Sequence, residues 1–546
     1  MAGRRWYLVA SRACALVLIS WPAQAAEPKE HSELEATVAA PFRAAAAQRR
    51  TQARTFVVQL EHPDGGSTRT VDWRLSLSGP GPQGLLQRNW SGRQVLDGGS
   101  ATLRLYWDGR DSDRRPAPAG LYALRLVAGS GDETVEQQWQ IAVERGTPTV
   151  TRMAAMAALS TPKVDSTFPY RIVYANLHSQ TRHSDGGAAL NACKGAQEPQ
   201  SAPYGPLDAY RYAQQHGLDV LLTSEHNHMY DGSDGTNAAA EPFDTIALYH
   251  SGLAEAAAYT AAHPGFLALY GMEWGVINKG GHLNIFNSEQ LLGWEKNGRG
   301  QLLAEIDTPK GDYAGLYTLM RERGWLGQFN HPARSGQFLV GGEALGFTAD
   351  GDAAMVLCEV MNTSAFSTNE QETETRRSNF EAACNKALAA GYHLAFSSNQ
   401  DNHCANWGAA YGNRTAILIA REAALSRETL FEALRARRVF ATMDKHGQLI
   451  FTANGRMMGE RFDNRGPLQL AVSFSHTRGR QAAAITIFQG IPGANGSVTE
   501  LSEQASLSLT PSPGLHFYYA RVTQDDGNLL WSAPVWVNQL PQDYVR

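Results

Sequence analysis

Apolar and polar residues alternate in short runs over residues 54–146. The runs at 56–60, 101–107 and 121–127 have the period of two that places alternate side chains on one face of a strand. Turn residues rich in glycine and aspartate separate these runs, for example at 63–66 and 97–99. Short strands at this spacing predict a small β-sandwich, to which we assign no catalytic role.

The pattern changes near residue 170, where short apolar runs begin to alternate with helix-like stretches. Strands are predicted at 171–174, 220–223, 266–270, 326–329, 355–360 and 394–397. Helices are predicted at 206–215, 246–262, 313–323, 373–390 and 426–436. This alternation predicts an α/β domain over residues 166–445, with a largely parallel sheet or barrel. Residues 446–546 return to strand patterning and predict a second β-sandwich packed behind that domain.

The first 25 residues have the order of an export signal. Arg4 and Arg5 precede a short apolar run at 13–21, and a small-residue cleavage site follows at 23–25. We therefore expect a periplasmic or secreted protein, by either the general secretory or the twin-arginine route. Residues 26–53 are alanine-rich and charged, which predicts a linker or a single helix.

Composition narrows the possible partners. The chain has 48 basic and 53 acidic residues and a formal net charge of −5, so bulk charge gives it no affinity for nucleic acid. A small anionic substrate could still be held locally. No segment beyond the signal is long and apolar enough to span a bilayer, so we expect no membrane contact after cleavage. The sequence leaves the oligomeric state open.

The informative chemistry lies at the ends of the predicted central strands. Histidines, carboxylates and one glutamine fall there in succession: His178, Gln180, Asp185, His226, Glu273, His282, His331, Asp401 and His403. In α/β barrels these strand ends converge on one face, where active sites are built. Mixed imidazole and carboxylate ligands suit zinc, manganese or iron, and a carboxylate can bridge two ions.

Four cysteines remain once Cys14 in the signal is set aside. Cys193, Cys358, Cys384 and Cys404 permit up to two disulfides in an oxidising compartment, with free buried thiols as the alternative. Because Cys193 and Cys404 each lie just after a loop with ligand-type residues, we favour that pair.

The succession of motifs resembles the polymerase and histidinol phosphatase (PHP) superfamily. The matching segments, in order, are Asn-Leu-His-Ser-Gln-Thr at 176–181, Ser-Asp-Gly at 184–186, Ser-Glu-His-Asn at 224–227, Glu273, His282, His-Pro at 331–332 and Asp-Asn-His at 401–403. The likeness covers about half of the chain and is nearest to the secreted CehA/McbA-type metallohydrolase branch. The sandwich at 54–146 resembles, at 107–111 and 118–122, the immunoglobulin-like module of many secreted enzymes.

The PHP resemblance implies a distorted seven-stranded β/α barrel with up to three metal ions. One ion would be held by His178, Glu273 and Asp401. A second would share Glu273 and take His282 and His331, and a third would use Asp185, His226 and His403. The departure is Gln180, where the family has a histidine. Because an amide oxygen is a weaker and harder ligand than imidazole, the first ion would be less tightly bound, harder or exchangeable, which leaves a count of two or three.

The resemblance also implies a reaction. A metal-bound hydroxide would attack phosphorus or a carbonyl carbon, with Glu273 and Asp401 as catalytic metal ligands. Arg334 could pair with an anionic substrate through its planar fork, or form a surface salt bridge instead. We therefore predict an exported phosphoesterase that acts on a small anionic or ester substrate. The alternatives are a carbamate or carboxyl ester hydrolase that uses the same site, and a non-catalytic metal-containing binding protein.

Overall fold

The computed structural model describes residues 34–62, 68–80, 84, 86–96, 99–131, 133–144, 168–276 and 280–541. The predicted signal peptide at 1–25 lies outside these ranges. Within them, no helix combines the length and the apolar character that a membrane span requires.

Residues 34–144 form two antiparallel sheets that share one apolar core. Their strands are β1 (Glu35–Ala39), β2 (Arg54–Glu61), β3 (Arg69–Ser78), β4 (Leu86–Leu96), β5 (Ser100–Trp107), β6 (Gly120–Ser130) and β7 (Glu133–Val143). One sheet has the order β1-β2-β5 and the other β4-β3-β6-β7. Alternate side chains such as Phe56 and Val58 in β2 are fully buried, as are Leu75 and Leu77 in β3. The period of two in the sequence therefore corresponds to the buried face of each sheet.

Strand β1 lies inside the segment for which we predict a linker or a helix. Leu34, Ala36 and Val38 are buried in the sandwich core, and Val38 pairs with Val58 of β2. The prediction for residues 26–53 is therefore wrong at 35–39. The alternation there spans only five residues, and the alanine-rich, charged residues around it conceal it in the sequence.

The central region, the described residues from 168 to 445, contains 14 strands, six α-helices and a 3-10 helix at Asn227–Met229. The strands are β8 (Tyr170–Asn176), β9 (Val220–His226), β10 (Leu267–Trp274), β11 (Leu283–Ile285), β12 (Leu292–Gly293), β13 (Ile306–Asp307), β14 (Gly327–Phe329), β15 (Leu339–Val340), β16 (Glu343–Ala344), β17 (Met355–Thr363), β18 (Arg377–Asn379), β19 (Ala395–Ser398), β20 (Arg414–Ala420) and β21 (Val439–Thr442). The helices are α1 (Pro206–Gln215), α2 (Pro242–Ala262), α3 (Tyr313–Arg323), α4 (Ala349–Ala354), α5 (Glu381–Ala390) and α6 (Arg427–Arg435).

Strand pairing in this region follows the order β18-β17-β14-β11-β10-β9-β8-β20-β21, and β19 pairs with β17. The pairs β8–β9, β9–β10, β14–β17 and β17–β19 are parallel, whereas β11 is antiparallel to β10 and β14. The mixed α/β class is confirmed. A seven-stranded barrel is not shown, because the pairings among the described residues form an open path that continues beyond β21.

One predicted helix starts too early. The sequence pattern extends it over 373–390, but strand β18 occupies its first part and α5 begins at Glu381. The Asn379 side chain accepts a hydrogen bond from the Glu381 backbone N–H at 2.9 Å. This bond satisfies the first N–H of the helix, which has no partner within the helix itself.

The C-terminal strands continue the sheet of the central region. They are β22 (Gly447–Ala453), β23 (Arg456–Met457), β24 (Arg461–Asn464), β25 (Leu468–His476), β26 (Ala482–Gly490), β27 (Thr499–Ser502), β28 (Ser506–Leu509), β29 (Gly514–Gln524), β30 (Leu529–Ser532) and β31 (Val535–Gln539). A four-stranded sheet, β23-β22-β25-β28, packs over the rest, but β30 pairs with β21 of the central region. The boundary predicted at 445/446 therefore cuts through a continuous sheet.

Two disulfides join distant parts of the central region. Cys193 pairs with Cys404, as favoured from the sequence, and Cys358 pairs with Cys384. The first bond connects the loop after β8 to the loop after β19, which are 211 residues apart in sequence.

Replacing both Cys193 and Cys404 with serine is expected to lower the free energy of unfolding by about 2–5 kcal/mol, since the bond restricts the unfolded chain. The matched variant, Cys358→Ser with Cys384→Ser, removes a disulfide whose cysteines are only 26 residues apart in sequence. Its free energy of unfolding should fall by about 2 kcal/mol less than that of the Cys193–Cys404 variant, because the entropy of closing a shorter loop is smaller. Denaturant unfolding of both variants checks this, and an equal or smaller loss for the Cys193–Cys404 variant would refute it.

Candidate metal centre

The parallel strands place ligand-type side chains at one edge of the central sheet. His178 lies two residues beyond β8, His226 is the last residue of β9, and Glu273 is the penultimate residue of β10. His331 follows β14 by two residues, and Asp401 follows β19 by three. Because the carboxyl ends of parallel strands meet at the same edge, these five residues converge as the sequence predicts.

His282 reaches the same edge by a different route. It directly precedes β11, which runs antiparallel to β10 and pairs Leu283 with Trp274. The first residue of an antiparallel strand lies beside the last residues of its neighbours, so His282 comes to Glu273. Of the three remaining ligand-type residues, Asp185 and His403 lie in adjoining loops, where the Gly187 N–H donates to the His403 carbonyl at 2.8 Å and so holds Asp185 near His403.

The Glu273 carboxylate lies at the middle of the cluster and is fully buried. Its oxygens are 2.9 Å from His178 Nε2, 3.1 Å from His282 Nδ1, 3.4 Å from His331 Nε2 and 3.6 Å from His226 Nδ1. Four imidazoles around one buried carboxylate form an arrangement in which the carboxylate could bridge ions.

Three groups of side chains could each hold a metal ion, with ligand atoms within 4.8 Å of one another. They are His178, His331 and Asp401; Asp185, His226 and His403; and His226, Glu273 and His282. The second group is the third ligand set implied by the resemblance. The other two groups are composed differently from the expected sets, because His331 is grouped with His178 and Asp401. The contacts of the expected second set are nevertheless present, since His331 Nε2 and His282 Nδ1 lie 3.4 and 3.1 Å from Glu273 Oε1.

Gln180 also lies in the cluster. Its Nε2 donates to Glu273 Oε2 at 2.6 Å, and it is fully buried. Its Oε1 is buried and accepts no hydrogen bond within the described part of the chain. That oxygen is therefore the atom of Gln180 that could serve as a ligand.

Gln180→His is expected to bind metal more tightly than the parent, because imidazole is a better ligand for transition ions than a neutral amide. If Gln180 weakens one site, the ion count should rise from two to three in the variant. Mass-spectrometric metal analysis of both proteins checks this. A count of three in the parent would show that Gln180 does not weaken the site.

The charges in the cluster are strongly coupled. Burial alone would lower the pKa of His178, yet Asp401, Glu273 and Glu359 raise it well above its usual value. Burial would raise the pKa of Glu273, but His178, His282 and His226 hold it well below the usual range. Burial raises the pKa of Asp185 to about 6. Several buried carboxylates at this edge therefore need positive charge beside them.

The donor set fits divalent metal ions. Both carboxylate oxygens of Asp185 and Oδ1 of Asp401 are buried and accept no hydrogen bond from the described residues. Buried carboxylates without hydrogen bonds are costly unless they coordinate a cation. Imidazole nitrogens and carboxylate oxygens face one another at ligand spacing, which is the donor chemistry of zinc, manganese or iron.

Glu359 belongs to the site, although the sequence pattern predicts only that it lies in a strand. Its Oε1 lies 3.1 Å from His178 Nδ1, and its Oε2 accepts the His331 N–H at 2.9 Å. Asn330 Nδ2 donates to Glu273 Oε1 at 2.7 Å and so fixes that carboxylate. A signal for Glu359 existed: it is the one charged residue in the buried strand Met355–Thr363.

Two ligand-type residues have strained backbones. His331 has a φ of 26° and Asp401 a φ of 49°, both in the left-handed region. The Asp401 N–H donates to the His178 carbonyl at 3.0 Å, and Glu359 holds the His331 N–H. Strain of this kind persists only where surrounding bonds enforce it, and it clusters at functional sites.

Arg334 lies outside the cluster. Its Nη1 is 3.1 Å from Glu136 Oε2 on strand β7, and its side chain is 51% exposed. Of the two roles considered from the sequence, the structure shows the salt bridge, and this bridge links the central region to the N-terminal sandwich.

A cavity of about 760 Å³ opens beside the cluster. His331, Asn362 and Asp401 line it on the metal side. Thr134 and Glu136 of the sandwich line it as well, so both the sandwich and the central region contribute to this open cavity.

Comparisons with known proteins do not place the chain in a family. No family model matches it, and no curated protein matches it. Among solved structures, a Parabacteroides merdae β-glucuronidase is similar at 8% identity over 94% of this chain and 65% of that one, with a TM-score of 0.16. A red sea bream transglutaminase matches at 9% identity over 28% of this chain and 19% of that one, with a TM-score of 0.16. A CARDB domain from Pyrococcus furiosus matches at 12% identity over 21% of this chain and 94% of that one, with a TM-score of 0.15. Likenesses this weak carry no argument about fold or function.

Proposed function

We propose that this protein is an exported metal-dependent hydrolase of phosphate esters with a PHP-type barrel at its centre. The observation that carries the proposal is the buried Glu273 carboxylate within 2.9–3.6 Å of four histidines. The order of the PHP-like motifs along the chain supports it as well. We infer two or three divalent ions, of zinc, manganese or iron.

The three groups of side chains would hold these ions, with Glu273 between them. Bound divalent ions lower the pKa of a coordinated water and stabilise negative charge on the attacked group. His331 and Asp401 face the cavity, so a substrate would enter on that side.

The surrounding residues orient the ligands. Glu359 contacts His178 Nδ1 and so directs Nε2 of that ring toward Glu273 and Asp401. Partners of this kind fix the tautomer of a ligand histidine and raise its basicity. Asn362 Nδ2 donates to Asp401 Oδ2 at 3.2 Å, which leaves Oδ1 to face the cluster.

Hydrolysis of a carbamate or carboxyl ester is the second candidate, because the same ions would activate water toward a carbonyl carbon. A non-catalytic metal-containing binding protein is the third. The strained backbones of His331 and Asp401 favour the enzymatic candidates, since such strain accompanies preorganised active sites.

The test is turnover of bis(4-nitrophenyl) phosphate, 4-nitrophenyl acetate and a 4-nitrophenyl carbamate, each with and without a chelator. We expect chelator-sensitive release of nitrophenol from the phosphodiester, restored by zinc or manganese. Turnover of the acetate or carbamate alone would favour the second candidate. Bound metal without turnover of any of the three would favour the third.

Export is part of the proposal. The two disulfides support a periplasmic or secreted location, because such bonds persist in oxidising compartments. Fractionation of cells that express the full chain tests it, and recovery only from the reducing cytoplasm would contradict it.

A further inference from the structure

The N-terminal sandwich is fixed against the central region beside the metal cluster. The Asn379 N–H donates to the fully buried Gln137, and Asn379 Nδ2 donates to the Gln138 carbonyl at 2.9 Å. Thr523 Oγ1 donates to Gln140 Oε1 at 2.7 Å. All three sandwich residues lie on β7, so this strand is fixed against β18 and β29 by hydrogen bonds.

Strand β7 thereby becomes a wall of the cavity. Thr134, Val135 and Glu136, the second to fourth residues of the strand, line the cavity together with Phe380 of the central region. Glu136 is fixed by two arginines, with Oε1 2.8 Å from Arg125 Nε and Oε2 near Arg334. Two arginines thus face this one carboxylate, and Arg334 and Lys386 themselves line the cavity. This part of the lining therefore offers positive charge as well as polar and apolar contacts.

The cavity is much larger than the reacting group of a phosphate ester. Its volume of about 760 Å³ lies within the ~300–1,000 Å³ of pockets that enclose whole small molecules. Apolar Val135 and Phe380 and polar Thr134 and Ser378 share its lining. Such a lining suits a group with both a ring and polar edges.

We propose that β7 of the sandwich is part of the substrate site and that the preferred substrate is a phosphate ester with a large, amphipathic non-leaving group. A group of nucleoside size fills such a cavity, whereas a methyl group leaves it empty. The inference rests on the proposed phosphoesterase activity and adds the role of the sandwich, which otherwise has none.

The test uses two diesters with the same leaving group, methyl 4-nitrophenyl phosphate and thymidine 5′-(4-nitrophenyl phosphate). Thr134→Trp in the full chain places an indole in the cavity without touching a metal ligand. We expect kcat/KM for the thymidine ester to fall at least about 10-fold, as for other losses of pocket fit. The value for the methyl ester should change less than about 2-fold, because its small group does not reach β7.

The matched control is Thr102→Trp, an exposed threonine on β5 of the same sandwich that is not part of the cavity lining. This control variant should have the parental kcat/KM for both esters. If Thr134→Trp also loses turnover of the methyl ester or its bound metal, the same comparison is made with Thr134→Tyr, whose side chain is smaller. Equal effects on the two esters in a folded, metal-containing variant would overturn the role of β7. Absence of chelator-sensitive turnover of either ester by the parent would overturn the phosphoesterase proposal, and this inference with it.

Discussion

Glu273→Gln is expected to reduce chelator-sensitive hydrolysis by at least about 10³-fold, which corresponds to about 4 kcal/mol of transition-state stabilisation. Glu273 is the carboxylate around which His178, His226, His282 and His331 are arranged. An amide of the same shape keeps the packing but removes the negative charge that would hold the ions together. Metal content should fall in the same variant, so kinetics and metal analysis are measured on one preparation.

The control for this substitution is Glu322→Gln on α3, where the side chain is 58% exposed and pairs with Arg321. An exposed pair contributes little, so this variant should keep its activity within about 2-fold and its metal in full. Parental activity in Glu273→Gln would show that the cluster does not carry the reaction.

Removal of metal is expected to destabilise the protein by several kcal/mol. Glu273, Asp185, Asp401 and Glu359 are buried together, and removal of cations bound among them would leave buried carboxylates with less opposite charge beside them. Each ion present at 100 times its dissociation constant adds about 2.7 kcal/mol to the free energy of unfolding. Thermal unfolding with and without chelator should therefore show a lower midpoint for the metal-free protein, restored by added zinc or manganese.

Asp185→Asn tests how much of that stabilisation comes from one group of ligands. Asp185 belongs to one group of ligands, with His226 and His403, so the variant should lose part of the stabilisation by metal and keep the rest. If the chelator does not change the unfolding midpoint of the parent protein, the cluster binds no ion that stabilises the fold.

The sequence predicts much of this site for a simple physical reason. Parallel strands bring their carboxyl ends to one edge, so ligand-type residues at successive strand ends must converge. Asp185, His226 and His403, which the PHP resemblance assigns to one ion, lie within ligand distance of one another. The buried faces of the N-terminal sandwich follow directly from the period of two in runs such as 56–60.

Other features depend on contacts that no local pattern encodes. The grouping of His331 follows from its positive φ and from the hydrogen bond between its N–H and Glu359, which lies 28 residues away. The continuous sheet through the 445/446 boundary depends on pairing of Ala441 with Trp531. The cavity wall from β7 depends on Asn379 meeting Gln137, 242 residues distant in sequence.

The central claim is a multinuclear metal centre around Glu273. Its most direct test is the number of ions per chain in the purified, unreconstituted protein, measured by plasma mass spectrometry against protein concentration from amino-acid analysis. We expect two or three divalent ions per chain, with fewer in Glu273→Gln. Less than one ion per chain, unchanged after incubation with zinc, manganese or iron, would contradict it.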